Sequence, residues 1–129
     1  MSGRVLLDTN IIIAMFAGEP TVTSRLKDCA AVFIPSVVLG ELYYAAFKSG
    51  RVDENTSRVD GLAACGDVVE CDAETARMYG QVKNELRARG RPIPENDIWI
   101  AAMARRHQLA VVTRDGHFDE VEGLIVEHW

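Results

Sequence analysis

Short apolar runs alternate with amphipathic stretches along the whole chain. Val5-Leu6-Leu7 ends abruptly at Asp8, and its aliphatic character predicts a strand buried in a parallel sheet. Residues 31–34, closed by Pro35, residues 68–69, residues 109–113 and residues 124–126 predict four further strands. Between them, apolar positions recur at spacings of three and four. Helices are predicted over 10–16, 21–28, 36–47 with Ser36 as the cap, 53–64, 72–89 and 95–107. Gly18, Pro20, Gly50, Gly90, Pro92 and Pro94 punctuate the elements. Strands alternating with helices predict one α/β domain over 1–129, a short parallel sheet with helices on both faces.

Composition adds exclusions. A chain of 129 residues can bury about two-thirds of its unfolded surface without a disulfide or metal staple. With 48% hydrophobic and 26% charged residues, it is not disordered, collagen-like or a coiled coil. No apolar run approaches the roughly 18 residues of a membrane span. Only three apolar residues separate Met1-Ser2-Gly3-Arg4 from Asp8, so no secretory signal is expected and the reading is cytoplasmic. Cys29, Cys65 and Cys71 form no C-x-x-C pair and read as reduced thiols, not zinc ligands.

The net charge of −5 opposes non-specific binding to nucleic acid. The charge is unevenly spread, however. Residues 77–91 carry five basic side chains, Arg87, Arg89 and Arg91 among them, against the single acid Glu85. Such an arm still permits nucleic acid, but only if something supplies positive charge at the acidic part of the molecule.

Four acids occupy places unsuited to solvated charges. Asp8 and Asp115 follow the ends of buried strands, where α/β sheets bind ligands. Glu41 sits at the margin of an apolar helix face, and Asp97 near a helix start beside Ile100, Ala101 and Ala104. Each has a purely structural reading. Asp8 can cap the helix after it, Asp97 can be an N-cap or a first-turn acid, Asp115 can belong to a turn, and Glu41 can be a boundary residue. Taken together they predict one acidic pocket. Two like charges 4 Å apart repel by about 4 kcal/mol at an effective dielectric of 20. Such a cluster holds protons or binds a cation, and an all-oxygen donor set suits Mg²⁺ or Mn²⁺. A bound ion would let the pocket accept a phosphodiester and would activate water. Asn10 and Thr113 offer supporting polar groups.

Rival chemistries lack their motifs: there is no phosphate-binding Gly-rich loop and no G-x-S-x-G elbow. The histidines have no paired spacing. His107 reads as a helix C-terminal residue and His117 as a loop residue within reach of the pocket. Tyr43, Tyr44 and Phe47 read as core or subunit interface.

Four blocks carry a resemblance: Asp8-Thr9-Asn10, Glu41 within 36–42, Asn96-Asp97 running into Ile98-Trp99-Ile100-Ala101-Ala102, and Thr113-Arg114-Asp115-Gly116-His117-Phe118. In this order, over nearly the whole chain, they resemble the PIN-domain nucleases, and most of all the VapC-type toxins of type II toxin–antitoxin pairs. The resemblance implies a PIN-like fold and a Mg²⁺-dependent endoribonuclease. Asp8, Glu41, Asp97 and Asp115 would form the acidic quartet, with Asp8 and Asp97 as metal ligands. It further implies a homodimer and a small antitoxin whose C-terminal segment covers the site. The alternative is a non-catalytic PIN-like or receiver-like acidic-pocket module for binding or signalling. A receiver, however, needs an Asp after its third strand and a Lys after its fifth, and no Lys follows Lys83.

Overall fold

β1 (Arg4–Leu7) runs through the middle of a five-stranded sheet and is paired on both sides. The computed structural model describes residues 3–129; Met1 and Ser2, part of the stretch read above for a secretory signal, lie outside them. The remaining elements follow in chain order: α1 (Thr9–Phe16), α2 (Pro20–Lys27), β2 (Ala31–Pro35), α3 (Ser36–Phe47), α4 (Val52–Cys65), β3 (Asp67–Val69), α5 (Ala73–Ala88), α6 (Glu95–His107), β4 (Ala110–Thr113), a 3₁₀ helix (Gly116–Glu120) and β5 (Val126–His128). Every strand pair is parallel, in the order β3-β2-β1-β4-β5.

Consecutive residues of a strand point to opposite faces. Val5, Leu6 and Leu7 are nevertheless all buried, as are Ala110 to Thr113. Both faces of the central strands are therefore covered, which explains why these segments read as unbroken apolar runs. The core continues through Ile11 and Ile12 of α1, Val38 of α3, Val82 and Leu86 of α5, and Ile100 and Met103 of α6. Strand order reverses between β1 and β4, so the carboxyl ends of these two strands flank the switch point where such sheets bind ligands.

Helix boundaries shift by a residue from those expected, and two local readings change. Ser36 does not cap α3. Pro35, the last residue of β2, takes the N-cap place with extended backbone and no side-chain hydrogen bond. The last strand lies two residues later than its apolar run. Gly123 turns the chain at φ 74, and Val126, not Leu124, pairs with Val111. Glu127 and His128 then complete an edge strand whose polar residues hid it. Among the described residues, no helix is long and apolar enough to cross a membrane.

Two glycines test this packing in opposite directions. A Cβ on Gly66 would lie 2.7 Å from Ile34 Cδ1 and 2.8 Å from the Leu62 carbonyl oxygen, whereas one on Gly61, inside α4, meets nothing. Urea denaturation should show Gly66→Ala destabilised by about 1–3 kcal/mol. Gly61→Ala should gain about 0.5–1 kcal/mol from helix propensity. The reverse ranking would contradict the packing of α4 against β2.

Candidate active site

Asp8 directly follows β1 and is 4% exposed. Its backbone N–H completes a bond to the Val112 carbonyl, so the residue is fixed by the sheet itself. It also occupies the N-cap of α1, and its Oδ1 accepts from Thr9 N at 2.8 Å. The other oxygen, Oδ2, accepts from Thr113 Oγ1 at 2.7 Å and from Asn10 Nδ2 at 3.4 Å. Capping and site membership thus coincide in one residue. Burial pushes its carboxyl above the ordinary value, against the Thr113 and Thr9 hydrogen bonds, and the charges of Glu41 and Asp115 add to the rise.

Thr113, fully buried at the end of β4, holds two acids in register. Its hydroxyl donates to Asp8 and accepts from the backbone N–H of Asp115 at 2.9 Å. Asn10 ties the same corner, because its Oδ1 accepts from Arg114 N at 3.2 Å. The Arg114 side chain turns away to Glu19 and the Trp129 carbonyl. The polar positions named from the sequence, Asn10 and Thr113, are both in contact with Asp8.

Glu41 enters from α3. Thr9 Oγ1 donates to its Oε2 at 2.8 Å and Asn96 Nδ2 donates to its Oε1 at 3.1 Å. Each carboxylate oxygen is therefore aimed by one donor and keeps a lone pair for another. Sequence reasoning gave Thr9 and Asn96 no role, although each is the neighbour of a quartet acid. The signal was their adjacency, since a donor beside one acid of a cluster is placed to serve another.

Asp97 lies in the first turn of α6, whose N-cap is Pro94. Its first-turn reading holds and its capping alternative does not. It is 9% exposed, and its carboxyl is pushed up to about 7, by burial first and then by Asp115 and Asp8. Asp115 caps the 3₁₀ helix and accepts from His117 N at 2.9 Å. Burial raises its carboxyl, but the backbone and ring hydrogen bonds from His117 outweigh that and leave it below the ordinary value. The His117 ring faces both acids, with Nδ1 2.7 Å from Asp115 Oδ1 and 3.5 Å from Asp97 Oδ2. Donor atoms of Asp97, Asp115 and His117 all lie within 4.8 Å of one another, close enough to hold one cation.

The quartet therefore assembles from β1, α3, α6 and the segment after β4. The basic arm stays outside it. Arg89 pairs with Glu122 at 3.2 Å and with Glu120, Arg91 reaches Glu120 at 3.9 Å, and Arg87 is exposed on the last turn of α5. Tyr44 and Phe47 are exposed on α3 and are not core, while Tyr43 packs partly against it. Cys29, Cys65 and Cys71 form no disulfide among the described residues.

The PIN domain family matches residues 5–124. A curated relative, the tRNA(fMet)-specific endonuclease VapC of Shigella flexneri, is 36% identical, with 98% of each chain covered. Ribonuclease VapC2 of Haemophilus influenzae is 33% identical over the same shares. Among solved structures, DNA-bound VapBC from Salmonella typhimurium superposes with a TM-score of 0.90 at 30% identity, covering 100% of this chain and 99% of that one. VapBC2 from Rickettsia felis, bound to a promoter DNA fragment, gives 0.87 at 29%, again over 100% and 99%. With an acidic corner built from four separate elements and matches that span the chain, the protein belongs to the PIN-domain family, among its VapC-type ribonucleases.

Proposed function

We propose that this chain is the toxin of a type II toxin–antitoxin pair and cleaves RNA phosphodiester bonds with a divalent ion held at Asp8, Glu41, Asp97 and Asp115. One observation carries the reading. Asp97 is buried against two other carboxylates and pushed up to about 7, which marks negative charge that the half-exposed His117 ring beside it does not offset. The donors are carboxylate oxygens, which suits Mg²⁺ or Mn²⁺, with Asp8 and Asp97 as ligands. When bound, such an ion supplies Lewis acidity toward the scissile phosphate and the attacking water.

The chain's own groups supply the rest. Glu41, aimed by Thr9 and Asn96, orients the water and takes its proton, with Asp115 as the second carboxylate in reach. Thr113 and Asn10 keep Asp8 turned toward the cluster. Arg87 is placed to meet the RNA backbone; Arg89 and Arg91 would exchange Glu120 and Glu122 for phosphate. The receiver-like alternative finds no support: β3 lies at the sheet edge, and the acids cluster beyond β1 and β4.

The antitoxin needs a surface as well as the site. Ile13, Phe16, Leu42, Ala45, Ala46 and Val59 line an apolar groove of about 370 Å³ between α1, α3 and α4. Arg58 stands over the Phe16 ring at its margin, 5.4 Å from the centroid. Apolar anchors of the antitoxin would rest there while a basic side chain enters the acidic corner. Homodimerisation belongs to the same reading, with the exposed Tyr44 and Phe47 available for the seam.

Asp8→Asn or Asp97→Asn should lower RNA cleavage by at least about 100-fold with an unchanged circular-dichroism spectrum. Full activity in both would overturn the site. Replacing the basic residues in the antitoxin's C-terminal segment should restore cleavage at saturating antitoxin. If none does, inhibition is steric cover alone.

The pKa of Asp97 also fixes how stability depends on pH. Unfolded, its carboxyl titrates near 4; folded, at about 7. Between these values the folded chain holds the extra proton, so stability is full below about pH 4 and is lost as pH rises to about 7. The raised His117 and Asp8 act in the same sense. Asp115, held low, loses its contribution only on the acid side of that window. Thermal melts in EDTA should therefore fall from pH 5 to pH 7.5. Asp97→Asn should flatten that fall and melt higher at pH 7.5, and Mg²⁺ should raise the wild type there. A wild-type melt insensitive to both pH and Mg²⁺ would contradict the gathered charge.

A further inference from the structure

His117 stands out because the chain spends local structure on placing it. Its backbone N–H is fixed on Asp115 Oδ1 at 2.9 Å by the cap of the 3₁₀ helix. The next residue, Phe118, is fully buried and anchors that helix in the core. Between cap and anchor, the imidazole is directed over the acidic corner, with Nδ1 2.7 Å from Asp115 and 3.5 Å from Asp97. A surface ion pair needs only one partner; this ring faces two carboxylates that already repel each other.

Those spacings match a shared ion. Around an octahedral cation with ligands at about 2.1 Å, adjacent donor atoms lie about 3.0 Å apart. The two separations from Nδ1 bracket that value, and all three donors fall within 4.8 Å of one another. An all-carboxylate corner treats Mg²⁺ and Mn²⁺ alike in donor type. An imidazole nitrogen does not, because Mg²⁺ prefers oxygen, whereas first-row transition ions accept nitrogen readily.

We propose that His117, which faces Asp97 and Asp115, is a nitrogen ligand of the divalent ion held in the acidic quartet, and that it turns the preference of the site from Mg²⁺ toward Mn²⁺. This rests on the metal-dependent reading above and adds to it a ligand and a selectivity. The other histidines do not compete for the role. His107 ends α6, and His128 is paired with Asp119 at 3.1 Å.

Mn²⁺ itself is the probe. The purified full chain is titrated with Mn²⁺ and, by competition, with Mg²⁺, and the Mn²⁺-loaded protein is examined by pulsed electron paramagnetic resonance for ¹⁴N coupling. The wild type should show imidazole ¹⁴N coupling. His117→Gln and His117→Ala, checked for folding by circular dichroism, should lose it. They should also lose Mn²⁺ affinity by at least the roughly tenfold that removal of even an outer partner costs, with Mg²⁺ affinity nearly unchanged. Saturable Mn²⁺ binding without nitrogen coupling, or with the same Mn²⁺ to Mg²⁺ ratio in the variants, would overturn the assignment and leave an all-oxygen site. No saturable binding of either ion to the wild type, or wild-type affinity in Asp97→Asn, would instead bring down the metal reading on which the assignment stands.

Discussion

Mutual repulsion among carboxylates is the constraint around which the site is arranged. Parallel strands deliver Asp8 and Asp115 to the same end of the sheet, and α3 and α6 bring Glu41 and Asp97 to join them. Water would normally screen such a group, but Asp8 and Asp97 are buried. The chain answers with neutral donors: Thr113, Asn10 and the Thr9 backbone on Asp8, and Thr9 and Asn96 on Glu41. Hydrogen bonds from neutral groups orient an anion without cancelling its charge. Among the described residues, the titratable nitrogen facing the corner is that of His117, and it leaves Asp97 raised to about 7. That leaves negative charge which a divalent cation could compensate.

The scaffold tolerates this because its stability is drawn from elsewhere. The central strands are buried on both faces, and α5 and α6 pack beside them through Val82, Leu86, Ile100 and Met103. Arg105 clasps Glu85 across these helices through both guanidinium nitrogens. Strain in the form of gathered charge is confined to the carboxyl ends of the strands. The same confinement is compatible with a net-acidic protein acting on a polyanion: an ion held there would change the local sign, and the basic residues of α5 lie outside the repelling corner.

Much of this was legible in the sequence because both faces of the sheet are covered. Burial on two sides makes a strand an unbroken apolar run, so Val5 to Leu7 and Ala110 to Thr113 declared themselves, and the acids ending them declared the site. β5 was less legible: an edge strand need not be apolar, and Glu127 and His128 carry its pairing. Ser36 misled as a cap because Pro35 already held the extended backbone that a cap requires. Thr9 and Asn96 were hardest to read. Both serve Glu41, 32 and 55 positions away, and no local periodicity encodes a contact between separate elements.

Proton release on ion binding tests the gathered-charge account most directly. Calorimetric titration of Mg²⁺ or Mn²⁺ into the ion-free chain, repeated in buffers of different ionisation enthalpy, counts the protons displaced. With Asp97 titrating at about 7, binding at pH 6 should release close to one proton or more, and binding at pH 9 should release almost none. Ion binding that displaces no proton at pH 6 would show that the carboxylates are already compensated, and would contradict the account.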